Sequence, residues 1–190
     1  KFNKMLKKRV IIALTFLDGV LFRTKKFIPD YRYTKEFVNL WNIDELILLD
    51  LSKKKFSKNF LELIKFYSKK CFVPISVGGG IHNLDDAKKY FSAGADKIII
   101  GYKGLLDKKL NREISKIYGN QSIIQSVDFL KQNKSYYLFS KSGTEKINHK
   151  LEDLLNNEMM NYIGEVFLNN IESDGSLLGF DIEFIKQIEL

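Results

Sequence analysis

Short runs that are apolar on both faces alternate along this chain with amphipathic stretches, and this alternation constrains the fold more than any other feature. Parallel strands that are covered on both sides of a sheet have this composition. Six strands are predicted, at residues 10–14, 46–49, 73–77, 97–100, 122–127 and 165–168. Helices are predicted over residues 34–41, along the stripe Phe60, Leu63, Ile64 and Tyr67, over 83–94 and 107–119, around Leu151, Leu154 and Leu155, and around Phe184, Ile185 and Ile188. This order predicts βαβ units and a parallel sheet of the α/β class.

An internal repeat selects a barrel over an open sheet. Residues 43–50 resemble residues 163–170 at an offset of 120, and residues 14–17 resemble residues 127–130 at an offset of 113. A four-strand unit used twice gives the eight strands of a (β/α)₈ TIM barrel. The repeats of the third and fourth strands would fall beyond position 190. We therefore expect one domain over residues 5–190, beginning at Met5, truncated to about six strands and lacking strands seven and eight, with exposed hydrophobic surface and poor stability.

Composition excludes several functional classes. A net charge of +8 is spread along the whole chain rather than gathered in a nucleic-acid-binding motif, and anionic phosphorylated substrates account for it equally well. One cysteine, Cys71, and two distant histidines, His82 and His149, give no metal-ligand spacing, so we expect no metal and no cofactor. No apolar run is long enough for a membrane span or a signal peptide, which favours a cytoplasmic protein.

Polar residues follow the predicted strands at their carboxyl ends, where barrels of this type carry their active sites. The run Gly78-Gly79-Gly80 allows backbone N–H groups to approach a phosphate, although a tight turn would use it equally well. Asp174-Gly175 likewise has two interpretations, a plain turn or a second phosphate site. Asp128 and Asp50 lie at the ends of apolar strands. A carboxylate buried there requires a compensating partner or has a functional role.

Successive segments resemble signatures of the HisF family, the ammonia-using subunit of imidazole glycerol phosphate synthase, in order and at family spacing. They are LKKRVI at 6–11, DEL at 44–46, SVGGGI at 76–81, AGADK at 93–97, VD at 127–128 and IESDGS at 171–176, together with the hairpin-like YLFSKSG at 137–143. The resemblance implies an enzyme subunit of the lyase or cyclase type from histidine biosynthesis. Its expected partner is a HisH-like glutaminase, which docks on the barrel bottom and sends ammonia through the barrel to a phosphorylated substrate at the top.

The resemblance also implies site residues. Arg9, Glu45, Lys97 and Glu165 match the four members of an ammonia gate at the barrel bottom, and Asp96 and Gln121 match positions near the glutaminase interface. Asp128 matches the catalytic aspartate of strand five. The implied phosphate and substrate contacts are Arg23, Asp50, Gly79, Gly80, Asn170, Asp174 and Gly175. A structural set of ion pairs remains an alternative interpretation of the gate residues.

The sequence departs from the family at the barrel top. Thr15 stands where strand one should carry the second catalytic aspartate, and a threonine hydroxyl cannot act as a carboxylate base near neutral pH. Gly101-Tyr102 replaces a small polar pair that helps to hold a phosphate. This pattern resembles the WbuZ-type HisF-like paralogs of surface-polysaccharide gene clusters, which work with a HisH-like glutaminase and a third protein in the amidination of an acetamido sugar.

Ammonia channelling for sugar amidination is therefore the leading hypothesis, and three alternatives stay open. The chain could be a working histidine-pathway cyclase in which Thr15 is tolerated. It could be a non-catalytic activator of its glutaminase. It could also be a general phosphate-binding barrel with unrelated chemistry, in which the gate residues carry no ammonia.

Overall fold

The computed structural model describes residues 8–26, 28–33, 43–52, 57–133, 135–141, 143–151, 154 and 158–187. Its strands are β1 (Ile11–Leu17), β2 (Val20–Lys25), β3 (Ile28–Tyr33), β4 (Glu45–Asp50), β5 (Ile75–Gly78), β6 (Lys97–Ile100), β7 (Ile123–Gln132), β8 (Ser135–Ser140), β9 (Glu145–Lys150) and β10 (Glu165–Asn170). Its helices are α1 (Lys58–Lys70), α2 (Leu84–Ala93), α3 (Tyr102–Leu106), α4 (Lys108–Tyr118) and α5 (Ile182–Gln187), with 3₁₀ turns at Asn120–Ser122 and Glu158–Tyr162.

Six of these strands form a parallel arc in the order β1-β4-β5-β6-β7-β10. They are the six strands that the apolar runs predict, and the helices α1, α2 and α4 connect successive members. The arrangement confirms the predicted βαβ units and is that of a partial (β/α)₈ barrel. Among the described residues, β10 pairs with β7 alone.

The two halves of the arc repeat the same register. Ile11 pairs with Glu45 where β1 meets β4, and Ile124 pairs with Glu165 where β7 meets β10. These pairs are related by the offsets of 113 and 120 found in the sequence. The repeat also makes Thr15 and Asp128 equivalent, since the first pairs with Leu49 and the second with Asn169.

Both halves carry a hairpin at the carboxyl end of their first strand. β2 and β3 extend β1 in antiparallel fashion, and β8 and β9 extend β7 in the same way. The first hairpin turns at Asp18 and Gly19, whose φ angles of 50° and 81° suit the twist of a two-residue hairpin turn. The sequence indicates the hairpin of the second half but not β2 and β3, which therefore add to the predicted fold.

The main core lies between the outer face of the arc and the helices. α1 contributes Phe60, Leu63, Ile64 and Tyr67, the predicted stripe, all of which are buried. α2 begins after Asn83, whose side chain accepts a hydrogen bond from the Asp86 N–H, and ends at Gly94 in the left-handed conformation (φ 111°). Both ends of α2 are those predicted, as are the Asp107 and Gly119 ends of α4.

Other helix predictions have mixed outcomes. Leu151 and Leu154 are helical and buried, and Phe184 anchors α5, which confirms two predicted apolar faces. The predicted helix at 34–41, and the side chains of Leu155 and Ile188, lie outside the described residues. α3 is an additional element that the sequence does not predict. In the described part of the chain, no helix combines the length and hydropathy that a membrane crossing needs.

Candidate functional site

Four charged side chains close a ring at the amino ends of the parallel strands; we call Arg9, Glu45, Lys97 and Glu165 the base ring. Arg9 donates to Glu45 (2.8 Å) and to Glu165 (2.9 Å), and Lys97 donates to the same two carboxylates (2.9 and 2.6 Å). Signs alternate around the ring, so each cation bridges two anions and each anion accepts from two cations. The family resemblance implied that these four residues lie together at the barrel bottom, and the structure brings them into contact.

The four side chains of the base ring differ in burial, and the more buried ones are held more firmly. The Glu45 side chain is 1% exposed and also accepts a 2.7 Å hydrogen bond from the Ser76 hydroxyl, whereas the Arg9 side chain is 43% exposed. Burial lowers the pKa of Lys97, but the hydrogen bonds and charges of Glu165 and Glu45 outweigh this and raise its pKa. Burial likewise raises the pKa of Glu165, but Lys97 and Arg9 outweigh it and lower that pKa below its usual range. Arg9, whose pKa Glu165 also raises, Lys97 and Glu165 are therefore charged near neutral pH.

An apolar layer follows the base ring along the inner face of the arc. Ile47, Ile99 and Ile124 form a small buried cluster that is separate from the main core, and Leu49 and Phe167 pack against it. Ile47, Leu49, Ile99 and Phe167 lie two or four positions beyond Glu45, Lys97 or Glu165 on the same strand, and side chains two apart in a strand share a face. Ile124 on β7 pairs with Ile99. Charged groups thus lie below the layer, and polar groups lie above it.

Asp128 lies above the apolar layer, near the carboxyl end of the parallel part of β7. Its carboxylate accepts a 3.1 Å hydrogen bond from the Asn169 side-chain amide on the neighbouring β10. Burial raises the pKa of Asp128 to about 6; the Asn169 hydrogen bond opposes this shift, and the charge of Asp174 adds to it. A carboxyl group with this pKa can both accept and release a proton near neutral pH.

Thr15 occupies the position in β1 that the repeat relates to Asp128. Its hydroxyl donates a hydrogen bond to the Phe22 carbonyl oxygen on β2, so its proton is held within the first hairpin. The group does not titrate in the physiological range. The mouth of the barrel therefore carries one ionisable group where the repeat could have placed two.

The glycine turn after β5 packs closely against the end of β4. A side chain on Gly79, which has φ 105°, would come within 2.2 Å of the Asp50 carbonyl oxygen, and the Gly79 carbonyl oxygen accepts from the Tyr90 hydroxyl (2.7 Å). Gly80, at φ 67°, faces open space. Burial raises the pKa of Asp50, which the two hydrogen bonds from Ser52 oppose. Close packing leaves no room for a side chain at position 79, whereas at position 80 only the positive φ angle favours glycine.

The loop after β10 closes against the first hairpin. The Lys26 N–H donates to the Asp174 carbonyl oxygen (3.3 Å), and the Thr24 hydroxyl donates to its carboxylate (3.4 Å). A side chain on Gly175 would come within 2.2 Å of the Thr24 carbonyl oxygen. This contact joins the first and sixth parallel strands across the mouth. A cavity of about 520 Å³ lies beside it, with Asn169, Asn170, Asp174 and Phe184 among its lining.

Comparison with known proteins agrees with this geometry. The profile of the family described as "Histidine biosynthesis protein" matches residues 12–190. The chain is 35% identical over 192 residues to the "Putative imidazole glycerol phosphate synthase subunit HisF" of Leptospira interrogans, covering 96% of this chain and 75% of that protein. It is 32% identical over 193 residues to the imidazole glycerol phosphate synthase subunit HisF of Staphylococcus epidermidis, covering 97% and 77%. The chain belongs to the HisF family.

Other residues that the HisF resemblance singled out are spread over both ends of this barrel. Asp96 lies at the base, where its carboxylate accepts from the Ile75 N–H (2.8 Å), and Gln121 is exposed on the same side. Arg23 lies on β2 with an exposed side chain. The Asn170 side chain accepts from the Glu172 N–H (3.1 Å) and so shapes the turn after β10.

Three hydrogen-bond partners of the site residues in this HisF-family barrel were not predicted from the sequence. Ser76 joins the base ring, Asn169 holds Asp128, and Thr24 reaches Asp174. A signal for Asn169 was available, because Glu165 faces inward and residues two and four positions further along a strand share its face. No comparable signal marks Thr24, since its contact depends on a hairpin that the apolar pattern does not indicate.

Proposed function

We propose that this HisF-family synthase subunit channels ammonia from a HisH-like glutaminase to a phosphorylated acceptor, and that the acceptor is a sugar amidinated for a surface polysaccharide. The observation that supports this best is the contrast between the two ends of the barrel. The base ring is complete and closed, whereas the mouth has Thr15 where the repeat relates it to Asp128. The residues that the resemblance assigns to a gate are thus in contact at the base, while at the mouth one of the two aspartates that the resemblance implies is absent.

The base ring would act as the gate of the channel. Lys97 lies between Glu45 and Glu165, so a small molecule passes only if at least one of these links opens. The Lys97 side chain is 17% exposed, and its flexible stem can swing without displacing the strands. The hydrogen bonds from Arg9 to Glu45 and Glu165 would keep the two carboxylates in place while Lys97 moves. In this proposal Asp96 and Gln121 lie on the face that the glutaminase covers.

The apolar layer would select the form of nitrogen that passes. Ile47, Ile99 and Ile124 offer no hydrogen-bond partner to an ammonium ion, and stripping an ion of water in such surroundings is far more costly than stripping a neutral molecule. Neutral ammonia would therefore cross the layer and arrive beside Asp128. The acceptor's anionic and polar groups would meet the residues that the family resemblance assigns to substrate, which are Arg23, Asp50, Gly79, Gly80, Asn170, Asp174 and Gly175.

One carboxylate can serve the addition step of amidination. When ammonia adds to the acetamido carbon, a carbon–nitrogen bond forms, the C=O π bond breaks toward oxygen, and the carboxylate of Asp128 can take a proton from the positively charged nitrogen. The oxygen then leaves as an activated group, and in this proposal the third protein of the resemblance supplies the activation. A pKa of about 6 leaves most of the group ionised at pH 7.5 and ready to accept that proton. Forming an imidazole ring in the family manner would require a second acid on the first strand, which Thr15 does not supply.

The alternative is imidazole glycerol phosphate synthase cyclase activity in histidine biosynthesis. It is favoured by Asp128, which has the perturbed pKa expected of a general acid or base. Under this alternative another acid replaces the missing aspartate, and Thr15→Asp raises a measurable cyclase rate.

The test supplies the chain with the ribulosyl substrate of imidazole glycerol phosphate synthase and an ammonium salt at high pH, which removes the need for a glutaminase. We expect no imidazole glycerol phosphate, and turnover near that of an ordinary HisF would refute the proposal in favour of the cyclase. In parallel, the chain is mixed with a HisH-type glutaminase and an acetamido-sugar acceptor, and product is compared with glutamine and with ammonia as the nitrogen source.

A gate variant separates channelling from simple activation. Lys97→Met removes both links that close the route, so ammonia should escape and less product should form per glutamine hydrolysed, while ammonia-dependent product should stay unchanged. Lys65→Met, on an exposed lysine of α1 paired with Glu62, is the matched control and should change neither rate. Glutamine hydrolysis that rises on mixing without any product, and that persists in Asp128→Asn, would indicate a non-catalytic activator instead.

A further inference from the structure

Two fully buried amide side chains lie on the outer face of the arc, outside the base ring and the residues assigned to the mouth. Gln125 on β7 and Asn111 on α4 are each 0% exposed. The Gln125 oxygen accepts a 3.3 Å hydrogen bond from the Asn111 amide, which also donates to the Gly104 carbonyl oxygen (3.4 Å). We call Gln125 and Asn111 the buried amide pair. No step of the proposed function uses it.

The Gln125 amide nitrogen is directed at the carboxyl end of β6. It lies 2.8 Å from the Ile100 carbonyl oxygen, 3.0 Å from that of Gly101 and 2.9 Å from that of Ser126. Ile100 is the last residue of β6, and Gly101 precedes α3. One side chain thus holds two successive peptide groups at the point where β6 turns into the mouth.

Gly104 is matched to the buried amide pair. A side chain at Gly104 would come within 2.5 Å of the Gln125 oxygen and 2.9 Å of the Asn111 oxygen. A glycine inside a helix costs about 1 kcal/mol relative to alanine. The three residues therefore depend on one another, and the chain gives up helix stability to accommodate the two amides.

The buried amide pair carries a second cost. The Asn111 oxygen has no hydrogen-bond partner among the described residues, and an unsatisfied buried acceptor costs about 1–3 kcal/mol. The surrounding side chains, Ile123, Val127 and Ile114, are apolar and buried, so aliphatic residues at these two positions would suit the core. The unpaired oxygen is a cost within the core, whereas the carbonyl contacts lie where β6 turns into the mouth, which indicates that the contacts serve the mouth rather than the core.

The carbonyl contacts set the direction of the adjoining N–H group. In a trans peptide the C=O and N–H bonds point in opposite directions, and β6 lies between β7 and β5. Because Gln125 fixes the Ile100 carbonyl oxygen, it also fixes the direction of the Gly101 N–H at the end of β6, beside the end of β5, which Gly79 and Gly80 follow. We infer that Gln125, supported by Asn111, is a positioning residue that aims the Gly101 backbone at an anionic group bound beside the glycine turn. The inference rests on the phosphorylated acceptor of the proposed function.

The test replaces the pair with apolar residues of similar size, in the double variant Gln125→Val/Asn111→Leu of the whole chain. Removing both amides eliminates the unpaired Asn111 oxygen but also takes one donor from each carbonyl oxygen that the pair contacts, so these opposing effects should leave the melting temperature close to that of the unmodified chain. Inorganic phosphate is then titrated while the amide resonances of Gly79, Gly80 and Gly101 are followed by NMR. We expect the double variant to bind phosphate roughly tenfold more weakly than the unmodified chain, since a net hydrogen-bond contribution near 1.4 kcal/mol corresponds to that ratio.

Two further variants complete the design. Gln125→Glu keeps the shape but presents a carboxylate to three carbonyl oxygens, so it should weaken phosphate binding as well. Asn120→Ala removes an exposed amide at the opposite end of the barrel, bonded to the Asn161 carbonyl oxygen, and should leave binding unchanged. Equal phosphate affinity in the unmodified chain and the double variant would overturn the inference alone. Absence of phosphate binding by the unmodified chain would overturn it together with the phosphorylated acceptor.

Discussion

Asp128→Asn should stabilise this protein above neutral pH and have no such effect in acid. Burial raises the pKa of the carboxyl group to about 6 in the folded chain, against 3.8 as its ordinary value. Above pH 7 the group is ionised in both states, and the folded state bears the full cost of the shift. A difference of roughly two pKa units corresponds to about 3 kcal/mol, as an upper limit. An asparagine avoids this cost and can still accept the hydrogen bond from Asn169.

The stabilisation by Asp128→Asn should change with pH in one direction only. A raised folded-state pKa means that stability is fully present below pH 3.8 and is lost as pH rises through about 6. The advantage of Asp128→Asn, measured by urea unfolding at a series of pH values, should therefore be near zero at pH 3.5 and reach a plateau above pH 7. Asp85→Asn removes a carboxylate whose side chain is 79% exposed and is the control for the loss of one surface carboxylate. A variant that is equally stable to the original at every pH would show that Asp128 is not desolvated.

Three further substitutions test the local geometry. Glu45→Gln should lower the free energy of unfolding by about 3–5 kcal/mol, because it breaks a buried ion pair, whereas Glu165→Gln, on a side chain 29% exposed, should cost clearly less; equal losses in urea unfolding would contradict this. Gly79→Ala should destabilise the chain more than Gly80→Ala, since only the first side chain would strike the backbone of β4, and similar melting temperatures would refute that packing. Asn83→Ala should cost about 1 kcal/mol by removing the cap of α2, and an unchanged urea midpoint would refute the cap.

Much of the fold follows from the sequence because the signals are periodic and local. The parallel strands are apolar on both faces. Helix ends such as Asn83 and Gly94 carry residue types that are favoured at helix caps. The hairpin of β2 and β3 gave no such signal. Its strands mix polar and apolar residues, and its only strong marker is the turn at Asp18 and Gly19.

The site was predictable in its positions but not in all its contacts. Strand order places the base ring at one end and Asp128 at the other, so the sequence pattern and the family resemblance were enough to name them. The contact of Asn169 with Asp128 required the inner face of β10 to be followed residue by residue. The buried amide pair could not be foreseen, because polar side chains within apolar strands and helices gain partners only from tertiary packing.

The half-barrel repeat separates what the two ends of this barrel can do. At the base, Glu45 and Glu165 are equivalent by the repeat, and both halves contribute one carboxylate to a closed ring. At the mouth, the equivalent pair is Thr15 and Asp128, and only the second half contributes a group that titrates. The apolar layer between them contains no charged side chain that would couple the two ends. A change of chemistry at the mouth can therefore leave the base ring intact, which is the combination expected of a barrel that delivers ammonia to a new acceptor.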